Sequence, residues 1–150
     1  MEKKKIKYME GDIFIIELEN KVRILGLIAR RFNKTKLLLG YFWVYNFEIN
    51  DKTILKKNNV ILISKFSGLG FEIGEWRVIN RYAHWNFDDW GFPELKNVDL
   101  NNNYFTASSY DDKFNCVSVR RIALDEIVNY YEDNTRGFES LENYLLKITS

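Results

Sequence analysis

Few residues in this 150-residue chain could do covalent chemistry. It has one histidine, His84, and one cysteine, Cys116. That rules out a Cys/His zinc site or a histidine metal cage, and a Cys–His dyad would need these two to meet in space. Cys116 lies between Asn115 and Val117 in a strand-like run, where a small buried residue is the usual occupant. His84 stands beside Trp85 and reads as packed or surface-exposed rather than as a general base. Carboxylates occur in adjacent pairs, Asp88-Asp89 and Asp111-Asp112. A glycosidase needs two carboxyls roughly 5–9 Å apart across a cleft. Neighbours in sequence usually point apart, so each pair reads as turn chemistry, its oxygens accepting from nearby backbone N–H groups. Glu19-Asn20-Lys21 and Glu94-Leu95-Lys96 have the acid-x-Lys form of a metal nuclease. The first is a hairpin turn and the second follows Pro93 in a loop, so neither has a strand or a partner acid to make it a site. No Walker loop, dinucleotide fingerprint or nucleophile elbow is present.

Nucleic-acid binding is a second class. Arg30, Arg31, Lys34 and Lys36 lie beside the aromatic run Tyr41-Phe42-Trp43-Val44-Tyr45, and basic residues beside exposed aromatics can grip single strands. Strand alternation buries half of those aromatics, and the order of an RNA-recognition sheet motif is missing. The net charge of +1 gives no general case for a polyanionic partner. Charge is nevertheless uneven: residues 1–65 carry +7 and residues 66–150 carry −6. That permits an acidic face suited to a basic partner.

The elements that must position these residues are mostly strands. Ile13–Leu18, Val22–Phe32 and Leu37–Phe47 read as a three-stranded antiparallel meander, with Gly26 a bulge or close-approach point and turns at Glu19–Lys21 and Asn33–Lys36. Val60–Phe66 is a fourth strand and Trp76–Asn80 a short fifth. Tyr104–Ser108 and Phe114–Arg121 form a hairpin around Asp111-Asp112-Lys113, after a turn at Asn101-Asn102-Asn103. Leu124, Ile127, Val128 and Tyr131 are spaced as one helical face, and Phe138, Leu141, Leu145 and Ile148 repeat that spacing after Gly137. Strands first and helices last imply helices covering one face or end of an antiparallel sheet.

Residues 66–95 break this regularity. The stretch holds Trp76, Trp85 and Trp90, His84, Pro93 and four of the eight glycines, and reads as a long connection pinned by its own side chains. At 150 residues and 46% hydrophobic, the chain can bury a core as one domain, residues 1–150. No apolar run reaches membrane-spanning length. The basic start Lys3–Lys7 has no apolar segment behind it, so a secretory signal is not expected. One cysteine implies no oxidising compartment, and a cytoplasmic protein is the simpler reading.

Gly11-Asp12-Ile13-Phe14, then Gly70-x-x-x-Gly74-x-Trp76 with Val78-Ile79, then Asn86-Phe87-Asp88-Asp89-Trp90-x-Phe92-Pro93 occur in that order. This pattern resembles the immunity protein 26 family of bacterial polymorphic-toxin systems. The ending Gly137-Phe138-x-x-Leu141-Glu142-x-x-Leu145 is similar to that family's closing helix. Asn80 stands where the family favours Gly, and Trp90-Gly91 replaces its Trp-Pro dipeptide. The resemblance implies a mainly β, non-enzymatic protein that binds a cognate toxin, often a nuclease, with no cofactor and no catalytic residues. It implies a fold-bearing role for Gly11, Asp12, Gly74, Trp76, Trp90 and Pro93.

The expected fold is therefore α+β and mainly β: a dominant antiparallel sheet of five to seven strands, strongly curved or barrel-like, with a C-terminal helix. The expected function is toxin neutralisation by occlusion of the active site or substrate path. The expected contacts are the acids Glu72, Glu75, Asp88, Asp89, Glu94, Asp111 and Asp112, with neither membrane nor specific nucleic acid as partner. A small hydrolase using the Trp/Asp-rich segment and a nucleic-acid module are the alternatives.

Overall fold

The computed structural model describes residues 8–32, 35–101 and 103–150. In chain order the elements are β1 (Asp12–Glu17), β2 (Arg23–Arg31), β3 (Leu37–Val44), β4 (Leu62–Ser67), α1 (Leu69–Glu72), β5 (Arg77–Arg81), β6 (Leu95–Asp99), β7 (Tyr104–Tyr110), β8 (Cys116–Ile122), β9 (Tyr131–Glu132), β10 (Thr135–Arg136) and α2 (Phe138–Thr149). The basic lead-in Lys3–Lys7, together with Asn33, Lys34 and Asn102 of the two expected turns, lies outside the described residues.

The α+β, mainly β class with a C-terminal helix is the observed one. The dominant sheet has six strands, within the expected five to seven, but it is not purely antiparallel and a second sheet accompanies it. There are two sheets, of order β10-β4-β3-β2-β1-β5 and β8-β7-β6-β9, and neither closes into a barrel among the described residues. Both are mixed, because β10 pairs parallel with β4 and β9 pairs parallel with β6. These are two-residue pairings, too short to leave a periodic trace in the sequence.

The first sheet is covered on both faces, which is why β1, β2 and β3 read as nearly continuous apolar runs. Phe14, Phe42 and Phe66 face one side, under Phe71, Trp76, Leu141 and Leu145. Leu25, Leu27, Tyr41 and Trp43 face the other, against Leu55, Tyr82 and Trp90. The β2–β3 bulge falls between Ile28 and Arg30. Gly26 is instead the close-approach point: a Cβ there would lie 2.3 Å from the Phe14 ring.

Three local expectations are corrected. Leu124–Asn129 forms a 3-10 turn rather than an α-helix, with Leu124 and Val128 exposed at 73% and 82%, and Tyr131 leaves that periodicity to pair in β9. So short a helix has no core face to offset its nucleation cost. Cys116 is exposed rather than buried, because β8 is the outer edge of its sheet and is open over most of its length. Strand alternation does not leave half of the aromatic run exposed: Tyr41, Phe42 and Trp43 are all buried because both faces of the sheet are covered, and Arg30 is buried with them, while Arg31 and Lys36 are exposed.

The two sheets are fastened by a buried polar group. Lys65 Nζ on β4 lies 2.8 Å from Asp133 Oδ1, which sits between β9 and β10. The Tyr110 hydroxyl on β7 donates to Asp133 Oδ2, and Asn97 Nδ2 on β6 donates to the same oxygen at 3.1 Å. Burial pushes the Asp133 carboxyl up, but the hydrogen bonds from Lys65, Tyr110 and Asn97 outweigh it and hold the carboxyl below its ordinary value.

Candidate functional site

Residues 66–95 place most of the candidate acids. After β4 the chain makes the single turn α1, and the Gly70 carbonyl accepts from both Glu75 N and Trp76 N at 3.0 Å. Gly74 supplies the left-handed residue of this reversal, at φ 82°. Gly70 lets the Trp76 indole lie against the backbone, since a Cβ there would be 2.2 Å from the ring. Trp76 is thereby sealed among Phe66, Phe71 and Phe138, and Glu75 is left on the surface. Further on, Gly11 at φ 92° makes room for the Trp85 ring, and Asp12 Oδ2 accepts from Met9 N at 2.9 Å.

The Asn86–Trp90 turn is capped by Asn86 Oδ1, which accepts from Asp88 N at 3.0 Å. Trp90 is buried against Tyr41, Trp43 and Tyr82, and Tyr41 donates to the Gly91 carbonyl at 2.6 Å. Pro93 follows, half-buried. Arg30 clamps this turn from beneath: Nη2 donates to the Phe87 carbonyl at 2.9 Å, and the guanidinium lies 3.4 Å over the Phe87 ring. Asp88 and Asp89 are left pointing to solvent.

The seven candidate acids fall into two groups. Glu72 is ion-paired with Lys36. Glu94 takes a two-pronged bond from Arg120, at 2.9 and 3.1 Å, which holds its carboxyl below the ordinary value. Asp112 accepts from Arg30 Nε at 2.7 Å. Asp111 accepts from the backbone of Asn115 and Lys113 within its own turn, which lowers its pKa. Only Glu75, Asp88 and Asp89 of the seven are without an ion pair or turn bond from their side chains among the described residues. Asp89 lines a hollow of about 340 Å³ with Lys57, Tyr82 and His84, so a cation already stands beside it.

Glu75 opens onto a cleft whose walls come from segments far apart in the chain. Its lining includes Glu17 and Glu19 from the end of β1 and the following turn, and Phe138, Glu139 and Glu142 from α2. The cavity measures about 430 Å³, with Leu18 and Leu146 also in its wall. Lys21, at φ 69°, turns the chain into β2, and Asn20 Nδ2 donates to Thr149 Oγ1 at 3.3 Å, tying this turn to α2. Arg23 is the cross-strand neighbour of Glu17, but its guanidinium lies 4.8 Å over the Tyr45 ring. Among the described residues none of these five glutamates has an ion pair.

Burial raises the Glu142 pKa, and Glu75, Glu19 and Glu139 raise it further. The Trp76 indole N–H faces that carboxyl closely enough to favour its ionised form, yet falls short of a formed hydrogen bond. Among the described residues no group of three His, Cys, Asp or Glu side chains is arranged to hold a metal ion. No helix among them is long and apolar enough to cross a membrane.

The architecture that creates this surface spans β1 to β6 plus α2, and its first part coincides with a family match. The model for Immunity protein 26 matches residues 9–105, well over half of the chain. The chain belongs to the immunity protein 26 family. Membership implies an immunity protein of toxin systems, one that binds a cognate toxin. The immunity protein 26 match covers the Gly11-Asp12, Gly70–Trp76 and Asn86–Pro93 motifs, as well as Glu17, Glu19 and Glu75. The Gly137–Leu145 segment and α2 lie beyond it. No curated protein and no solved structure matches the chain.

Proposed function

We propose that this chain, acting in the bacterial cytoplasm as a single domain over residues 1–150, neutralises its polymorphic-toxin partner by forming a tight complex without turnover. The toxin is a nuclease, and the complex blocks its active site or substrate path. The family match carries this reading. Charge supports it: a nuclease site must hold phosphate and is basic, and a carboxylate surface both competes for it and steers encounter. Of the seven candidate acids, Glu75, Asp88 and Asp89, which have no ion pair or turn bond among the described residues, are the favoured contacts. The Asp111-Asp112 pair is a poor acid–base couple, because one carboxyl caps its turn and the other is held by Arg30.

Co-expression with the toxin encoded beside this chain is expected to restore growth, and the two proteins are expected to co-purify at fixed stoichiometry. Purified protein that degrades a nucleic acid or glycan unaided, with dependence on Asp88 or Asp89, would contradict neutralisation by binding.

A further inference from the structure

We propose that the cleft between the β1–β2 turn and α2 receives an arginine side chain of the toxin. The proposal rests on the toxin-binding reading above. Two independent observations point to it.

The first is the composition of the walls. Leu18 and Leu146 offer apolar surface for a long methylene stem, and the half-buried Phe138 ring offers a face for a planar cation. Glu17, Glu19, Glu75, Glu139 and Glu142 ring the same space of about 430 Å³. A guanidinium presents several N–H groups in a rigid fork and can serve more than one carboxylate, whereas an ammonium acts as a point charge. The one arginine that the strand register sets opposite Glu17, Arg23, is directed to Tyr45 instead.

The second is Trp76. Its side chain is sealed from solvent, and its Nε1–H has no hydrogen-bond partner among the described residues. It is aimed at the Glu142 carboxyl on the wall of the cleft. A buried donor left short of its acceptor, beside carboxylates that repel one another, costs the unbound fold stability. A cation in the cleft relieves both: it keeps Glu142 ionised and draws it into line with the indole N–H. The Asp88–Asp89 turn lacks this combination, because Lys57 already shares its hollow.

The test uses the full chain, labelled with nitrogen-15, and two blocked tripeptides, Gly-Arg-Gly and the same peptide with neutral citrulline. The arginine peptide is expected to shift the Trp76 indole N–H and the amides of residues 137–146 saturably. Both shifts are expected to vanish in the variant Glu75→Gln/Glu142→Gln. Equal shifts with citrulline, or shifts confined to other surfaces, overturn the proposal.

In parallel, the catalytically inactivated neighbouring toxin is titrated against the wild type and the same variant. The variant is expected to bind about tenfold or more weakly, chiefly through faster dissociation, while melting no lower than the wild type. If it binds as tightly as the wild type, the arginine cleft is wrong and the immunity reading stands. If the wild type does not bind either, the immunity reading fails, and the peptide titration alone decides the chemistry of the cleft.

Discussion

At the junction of the two sheets, Asp133 meets Lys65, Tyr110 and Asn97, all within hydrogen-bond distance; around the α2 cleft, Glu142 meets Glu75, Glu19 and Glu139 and has no ion pair among the described residues. Both carboxyls are partly withdrawn from water, so desolvation works against the ionised form in each. At Asp133 the surrounding donors win and the pKa falls. At Glu142 the neighbouring carboxylates add to burial and the pKa rises. A compensated buried charge holds a fold together, and an uncompensated cluster strains it. The second arrangement is what a surface needs if its cation arrives with a partner.

The largest expected effect comes from breaking the compensated site. Asp133→Ala leaves Lys65 charged in a nearly sealed position, and loss of one partner from a buried pair costs about 3–5 kcal/mol. Urea unfolding of the wild type and the variant measures it. Removing both charges, as Lys65→Met/Asp133→Leu, is expected to cost less than either single change. If Asp133→Ala unfolds with an unchanged midpoint, the junction does not hold the sheets and the contrast with the cleft collapses.

A smaller effect separates paired surface acids from unpaired ones. Asp112→Lys removes a 2.7 Å charge-assisted bond from a buried arginine. Arg30 keeps its bonds to the Ala29 and Phe87 carbonyls, so the loss is expected to be about 1.5–3 kcal/mol, the range for a hydrogen bond to a charged group. Asp88→Lys and Asp89→Lys, on an exposed turn, should fall within about 0.5 kcal/mol of the wild type. Denaturant midpoints for the three variants check the order. Equal stabilities would mean that Arg30 holds the 87–90 turn without help from Asp112.

Much of the first sheet was legible in the sequence, because β1, β2 and β3 carry apolar runs that only a doubly covered sheet requires. The α2 helix was legible for the same reason: Leu141 and Leu145 repeat at the helical period and are fully buried. Leu124, Ile127 and Val128 show that spacing too, but no described residue covers Leu124 and Val128, and periodicity alone does not report whether a face is covered. The mixed character of the sheets was hidden because it depends on β9 and β10, pairings of two residues each, and the split was hidden because strand periodicity does not report that β6 pairs with β7 and β9 rather than with the first sheet.

Sequence adjacency joined Asp111 to Asp112, whereas the structure joins Asp112 to Arg30, 82 residues away, and Glu94 to Arg120, 26 away. Of the five cleft glutamates only Glu75 falls within the Trp-rich stretch of residues 66–95; Glu17, Glu19, Glu139 and Glu142 lie far from it in sequence. A cleft gathered from two chain reversals and a terminal helix leaves no local pattern. The one sequence signal that pointed toward it was the acidic balance of residues 66–150.

The contrast between the two regions is tested most directly by thermal melts across pH of Glu142→Gln and Asp133→Asn beside the wild type. Glu142 has a raised folded pKa, so ionising it costs stability once the pH exceeds its ordinary value of 4.5, and the cost is complete above the raised value. Glu142→Gln should therefore melt above the wild type at neutral pH, and the gap should close as the pH falls below the ordinary carboxylate range. Asp133 has a lowered folded pKa, so its contribution is present at neutral pH and lost as the pH falls through that lowered value. Asp133→Asn should melt below the wild type at neutral pH, with its gap closing on acidification. Two gaps of opposite sign, both shrinking in acid, are the predicted result. A Glu142→Gln protein that melts below the wild type at neutral pH would contradict the account, because the cleft carboxylates would then be part of what holds the fold together.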